Sequence, residues 1–204
     1  TDENLRSQQP DEDFATELRD DADTLCAKVN QLTAWWQEAE RIVVFTGAGI
    51  STSAGLPDYR GPKGVWTRKV QGESVADNFD LDNVRPALSH EALARLHRAG
   101  QLEFLATTNV DGLHTKAGLP PEAVAELHGN CFVEECGQCK RKFERAFQVR
   151  TAAGLFEHAT GRSCEECGGP LRDNLVNFGN TAEHVPSMEA EHDRAWVQCL
   201  KADL

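Results

Sequence analysis

The chain has 204 residues, of which 40% are hydrophobic and 26% charged, with a net charge of −12. That length bounds it to one domain, or one domain with a small insert. No apolar run approaches membrane-spanning length, and the acidic balance argues against strong attraction to nucleic acid phosphates.

The charge is uneven, because Thr1 to Asp23 holds nine acids against Arg6 and Arg19, about −7 of the −12. Residues 1–22 have too few apolar side chains to offset ordering entropy, so an acidic disordered tail is expected there and a folded domain over 23–204. Leu25, Val29, Leu32 and Trp36 recur at helical spacing, predicting an amphipathic helix from Asp23 to Glu40. A short apolar strand follows at Ile42 to Phe45 and runs into the turn Gly47-Ala48-Gly49. Ile50 to Gly55 then open a helix, and a strand delivered to a glycine turn at a helix N-terminus makes an anion site. The third position of G-x-G-x-x-G is Thr52, so the strict dinucleotide fingerprint fails. Pro57-Asp58-Tyr59-Arg60-Gly61-Pro62, a rigid polar loop with an aromatic and a cation, stands where an ordinary Rossmann unit continues its crossover helix.

Arg68 to Arg85 has no clear period and reads as a loop or irregular helix. Ser89 is expected to cap a helix from His90 to Ala99 with an apolar stripe of Ala92, Leu93 and Leu96, ended by Gly100. Leu102 to Thr107 is a second buried strand, and the strand–loop–helix–strand order predicts a parallel sheet. This strand ends at Thr108-Asn109-Val110-Asp111-Gly112. Parallel strands present ligand sites at their carboxyl ends, so Asn109 and Asp111 should face the same crevice as the glycine turn. Together they suit the amide and hydroxyls of a nicotinamide riboside; the alternative is an Asx-turn before Gly112. A third strand, Val124 to Leu127, ends at His128-Gly129-Asn130. A histidine there is a candidate general base, since its ordinary pKa lies near neutrality, with a structural role as the alternative.

An independent signal comes from Cys136-x2-Cys139 and Cys164-x2-Cys167, separated by 24 residues and flanked by Gly137, Gly168 and Gly169. This spacing points to a structural four-cysteine Zn²⁺ site. Disulfides or redox pairs are the alternatives. The opening residues show no signal-peptide pattern, which disfavours disulfides, and two spaced pairs favour zinc over redox chemistry. Lys142 to Val149 alternates as a strand of a zinc ribbon. Seven Lys/Arg against six Asp/Glu between Cys131 and Arg172 leave no basic face for nucleic acid.

GAGIST, PDYRG, TNVDGLH, ELHGN and the paired C-x-x-C motifs, in this order from about Leu25 onward, resemble a sirtuin, an NAD-dependent protein-lysine deacylase. GPKGVWT and LRDNLVNFG are similar to the class IV, mostly nuclear, branch. The resemblance implies an α/β fold: a Rossmann-like parallel sheet, incomplete at the C-terminus, with a zinc-ribbon insert over about residues 131–173. It implies NAD⁺ as co-substrate and one structural zinc. NAD would be contacted by the Gly47, Ala48 and Gly49 turn, Thr52, Tyr59, Arg60, Trp66, Thr108, Asn109, Asp111 and His128. Val176, Phe178 and Gly179 would bind the acyl-lysine substrate.

In the implied reaction the acyl-lysine oxygen attacks the ribose carbon as nicotinamide leaves, giving an alkylimidate. His128, with Asn109 beside it, then acts as base on a ribose hydroxyl. The products are lysine and O-acyl-ADP-ribose. The implied partners are acyl-lysine proteins such as histone tails, with no nucleic-acid site and no membrane, and the branch implies a nuclear location. Thr108 stands where the family usually has Gln, and Asn180 where it commonly has Glu. The family continues beyond the equivalent of Leu204 with a further core strand and an NAD-binding loop, so a fragment of a longer enzyme is expected, with one edge of the sheet unpaired. Mono-ADP-ribosyl transfer from the same site, or a non-enzymatic zinc-binding interaction protein, are the competing readings.

Overall fold

The computed structural model describes residues 18–59, 61–73, 80–150, 157–177, 180 and 185–204, with the backbone only of Trp66, Lys69 and Val70. Most of the expected acidic tail, together with Arg60, Phe178 and Gly179, lies outside the described residues.

The first helix, α1, spans Ala22–Glu38 and starts where the Asp21 carboxylate accepts from the Thr24 N–H at 2.7 Å. The periodic stripe is present but not packed: Leu25, Val29 and Leu32 are each about half exposed, and no residue of α1 is buried. Strand β1 is Val43–Thr46, one residue later than predicted. The turn after it opens a seven-residue 3₁₀ helix, Ala48–Ala54, rather than an α-helix. Its short length and tighter hydrogen bonding leave a weaker macrodipole than the expected α-helix would carry.

Helix α2 spans Val65–Val70 and overlaps only the first three residues of Arg68 to Arg85, the stretch expected to be a loop or irregular helix. Helix α3 is Leu88–Arg98, and its cap is Ala87, not Ser89. The Nδ1 of His90, at the third helical position, accepts from the Ala87 N–H at 3.1 Å and takes the place that a Glu or Gln side chain fills in a capping box. The buried face of α3 matches the expected stripe in part, since Leu93 packs against the core. His90 and Ala94 are fully buried while Ala92 is exposed. Gly100, at φ +71°, ends the helix as predicted.

Strand β2 is Phe104–Thr107, helix α4 is Leu113–Lys116 and strand β3 is Val124–Glu126. The three strands form a parallel sheet in the order β1-β2-β3, with Val44 opposite Leu105 and Leu105 opposite Val124. Alternation along β2 supplies both faces of the sheet. Leu105 packs with Ala94, Leu119, Ala123 and Val124 on one side, and Phe104 and Ala106 pack with Ala125 and Ala195 on the other. Ala195 belongs to helix α5, Ser187–Cys199. The outer edge of β1 is not bare. Asp203 N–H donates to Arg41 O at 3.1 Å, and Val43 N–H to Leu204 O at 2.9 Å.

A second sheet is antiparallel, in the order β5-β4-β7-β6, built from β4 Val133–Cys136, β5 Lys142–Glu144, β6 Ala159–Ser163 and β7 Pro170–Asp173. The strand expected over Lys142 to Val149 stops at Glu144. Beyond it the backbone bonds its neighbour at Arg145 N–H to Phe132 O and Val149 N–H to Cys131 O, with the intervening residues looped out of the ladder. Among the described residues no helix is long and apolar enough to cross a membrane.

Candidate active site and metal centre

The carboxyl ends of the three parallel strands open onto one cavity of about 700 Å³. Ala48, Tyr59, Thr108, Asn109, Asp111, His128 and Val176 all line it, together with Ser51 and Asp58. This is the position that the crossover topology of a parallel sheet dictates for a ligand site, and the volume suits a small organic molecule.

Each polar group in the floor has a determinable role. The Asn109 amide nitrogen donates to Gly47 O at 3.1 Å and to Ser51 Oγ at 3.2 Å. A carbonyl can only accept, so the amide is oriented by that contact, and its Oδ1 has no protein partner among the described residues. Ser51 Oγ–H donates to Asp111 Oδ2 at 2.7 Å, and Asp111 Oδ1 accepts from the Leu113 N–H at 3.0 Å. That second bond is the Asx-turn the sequence allowed as an alternative, so turn and site are the same structure.

His128 sits at the exposed end of β3 with Nδ1 3.1 Å from Thr108 O. The carbonyl requires Nδ1 to carry the proton, which leaves Nε2 with its lone pair and no protein partner among the described residues. Burial of part of the ring lowers its pKa, outweighing the Thr108 bond, and nearby His192 adds to the lowering. The ring is therefore a neutral base at physiological pH.

Two glycines allow the loop over the cavity to close on itself. A Cβ on Gly64 would lie 2.7 Å from the Tyr59 backbone, and one on Gly61 would collide with the Asp58 carboxylate, which accepts from the Gly61 N–H at 2.9 Å. Three predicted residues sit away from the lining. Gly47 acts through its carbonyl, and Gly49 only accepts from the exposed Thr52, whose Oγ1 donates to it at 2.9 Å. The Trp66 side chain, Arg60, Phe178 and Gly179 are outside what is described.

Sequence reasoning missed Ser51, His90 and His114, all at most 2% exposed. His114 Nε2 pairs with Thr46 Oγ1 at 2.9 Å, and the His90 and His114 rings lie 4.8 Å apart. Burial, assisted by His90, pushes the His114 pKa down to about 4. The available signal was a histidine on the inward face of each flanking helix, where a polar residue needs partners.

In the second sheet, the Sγ atoms of Cys136, Cys139, Cys164 and Cys167 all lie within 4.8 Å of one another, and none of the four is in a disulfide. Cys136 is 3.5 Å from Cys167, and Cys139 is 3.7 Å from Cys164. Tetrahedral Zn²⁺ with Zn–S bonds of about 2.3 Å requires sulfurs about 3.8 Å apart, so the donor set fits a closed structural zinc. The backbone N–H groups of Cys139 and Gln138 point at Cys136 Sγ, each at 3.4 Å, and lower its pKa toward the thiolate a metal needs. Gly168, at φ +72°, makes the second knuckle.

A three-stranded parallel sheet with a cavity at its strand ends and a four-cysteine antiparallel insert defines a Rossmann-like α/β protein with a zinc-ribbon module. The Sir2 family model matches residues 73–199, more than half of the chain. The chain is 46% identical over 165 residues to the NAD-dependent protein deacetylase sirtuin-7 of Bos taurus, covering 80% of this chain and 41% of that relative. It is 41% identical over 189 residues to the NAD-dependent protein deacetylase SRT1 of Arabidopsis thaliana, covering 92% and 39% respectively. A solved Sir2 homolog–NAD complex matches with a TM-score of 0.60 at 31% identity, covering 85% of this chain and 69% of that one. The chain belongs to the Sir2 family. It spans about two-fifths of the length of these curated relatives.

Proposed function

We propose that this chain carries the nicotinamide-side half of an NAD-dependent protein-lysine deacetylase, with a folded domain from residue 23 and a zinc-ribbon insert over about 131–173. The observation that carries the reading is the pairing in one cavity of two groups without a protein partner among the described residues: the Nε2 lone pair of His128 and the Oδ1 of Asn109. Both relatives named above are NAD-dependent protein deacetylases, and the solved neighbour holds NAD. When bound, NAD⁺ would supply an electrophilic ribose carbon with nicotinamide as leaving group.

The residues then divide the work. Asn109 and Asp111, fixed through Gly47 and Ser51, would orient the nicotinamide riboside, and Tyr59 with Arg60 would cover it. His128 Nε2 would take a proton from a ribose hydroxyl; its Nδ1–H bond to Thr108 O keeps the ring in the required tautomer. Val176, whose N–H donates to His128 O at 2.9 Å, lies beside the base, and together with Phe178 and Gly179 it would bind the acyl-lysine chain. The zinc would be structural. A nuclear location and histone tails as substrates are supported by the class IV resemblance.

Incubation with NAD⁺ and an acetyl-lysine peptide should release nicotinamide, and His128→Ala should abolish it. Equal turnover by the variant would remove His128 from the mechanism. ADP-ribose transfer to protein without peptide deacetylation would replace the reaction assigned here.

A further inference from the structure

A fully buried histidine that never reaches the cavity sets the floor of the site. The Ala87 backbone N–H donates to His90 Nδ1 at 3.1 Å, and an amide nitrogen can only donate. Nδ1 is therefore the acceptor and the proton of the neutral ring resides on Nε2. That nitrogen faces Ser51 Oγ at 3.4 Å. Ser51 Oγ also accepts from the Asn109 amide at 3.2 Å and donates its own O–H to Asp111 Oδ2 at 2.7 Å. Two donors into the hydroxyl leave it one direction in which to donate, toward Asp111. A one-way chain thus runs from a helix cap to the cavity: Ala87 N–H, His90, Ser51, Asp111.

We propose that His90 is a positioning residue for the ligand site, its Nε2–H tautomer orienting the Ser51 hydroxyl and thereby the Asp111 carboxylate and the Asn109 amide. The assignment rests on the reading of the cavity as the NAD site, but the tautomer itself does not. The groups that face His90 are consistent with a neutral ring: the His114 ring 4.8 Å away on α4, the Ser51 hydroxyl, and Asp111 behind it. Burial lowers the His90 pKa, opposed by Asp111 and the Ala87 bond.

The two ring nitrogens do different jobs, so two substitutions separate them. His90→Asn retains an acceptor near the Nδ1 position and loses the donor to Ser51. His90→Gln retains an amide donor near the Nε2 position and loses the cap. The expected result for His90→Asn is a melting temperature close to wild type with NAD⁺ affinity, measured by calorimetry, weakened about tenfold, the scale of one lost hydrogen bond in a buried network. His90→Gln should show the reverse: a lowered melting temperature and an affinity within about threefold of wild type. Melting temperature and affinity moving together in both variants would overturn the proposal and make His90 a packing residue. Nitrogen-15 spectra of the wild-type imidazoles at pH 7.5 give an independent decision. An Nε2–H tautomer for His90 supports the chain, and an Nδ1–H tautomer overturns it. If the wild-type protein binds no NAD⁺, the proposed function fails, and the ring spectrum still decides the role of His90 toward Ser51.

Discussion

The backbone of Gly129 approaches that of Asn174 so closely that a Cβ on Gly129 would lie 2.0 Å from Asn174 O. This contact seats the segment leaving β7 against the end of β3, next to His128. Asn174 Oδ1 accepts from the Asn130 N–H at 3.0 Å on one side of it, and Val176 N–H donates to His128 O at 2.9 Å on the other. The zinc-ribbon sheet and the parallel sheet thus meet at the base, and the module fixes one wall of the cavity.

Gly129→Ala tests that junction. Gly129 has φ +80°, so any side chain costs about 1–2 kcal/mol in the backbone alone. The collision with backbone rather than a flexible side-chain tip adds to this, because neither strand end can yield freely. The expected outcome is a urea midpoint lowered by an equilibrium loss of at least about 2 kcal/mol. Gly118→Ala is the control: it also has positive φ, at +101°, but no atom within 4 Å of the added Cβ. It should lose the backbone component only.

Cys136→Ser should release the metal and loosen the module. Apparent binding energies of four-ligand zinc sites run at about 10–16 kcal/mol, far above what the small β4–β7 sheet supplies by packing. The wild type should carry one zinc per chain by elemental analysis, and the variant close to none. Limited proteolysis should then cut within 131–173 before the parallel sheet. The buried Glu134, which accepts from Thr160 and from both Arg145 and Arg162, remains in the variant. If that hub alone protected the module from protease, the structural role assigned to zinc would be wrong.

What was legible in the sequence followed from rules that act locally or through spacing. The glycine turn, the strand ends at Asn109, Asp111 and His128, and the four cysteines each announce themselves within a few residues. The floor of the cavity does not. Ser51 meets Asp111 across 60 residues and His90 across 39, and nothing in either neighbourhood marks the partner. The face of α3 is legible in part: Leu93 packs on the core as its apolar character suggests, but hydrophobicity also singles out Ala92, which is exposed. The buried face also runs through His90 and Ala94, polar at its first turn because His90 caps its own helix. The apolar stripe of α1 was read correctly as helical, but periodicity reports a face and not what packs on it.

The acid limb of the proposed reaction should lie lower than an ordinary histidine gives. His128 must be neutral to act as base, and its pKa is lowered chiefly by burial. As pH falls, the base form persists past the usual histidine midpoint of about 6.5 before protonation removes it. The dependence of kcat/KM on pH should therefore descend through a midpoint below about 6.5. A midpoint above it would mean that a nearby negative charge, not desolvation, dominates at His128. The His192 ring contributes to the lowering, so His192→Gln should raise the midpoint slightly.

Stability should respond to pH through two groups of opposite sign. His114 has its folded pKa depressed to about 4, against about 6.5 unfolded. Between those values the unfolded state binds more protons, so the contribution of His114 is complete above about pH 6.5 and is lost as pH falls toward about 4. Two and a half pK units correspond to about 3 kcal/mol as an order of magnitude. Glu126, bonded to the Asn130 amide at 2.6 Å, has its pKa raised to about 7, mainly by burial. Here the folded state binds more protons, so the contribution is complete below about pH 4.5 and is lost as pH rises through about 7. Over the shared window the two oppose each other and flatten the profile. Glu126→Gln removes the falling component, and its melting temperature should climb steeply from pH 4.5 to 6.5 and hold to pH 8. His114→Gln removes the main rising component, and its melting temperature should decline over the same range. Parallel profiles in the two variants would show that neither group titrates as its surroundings dictate.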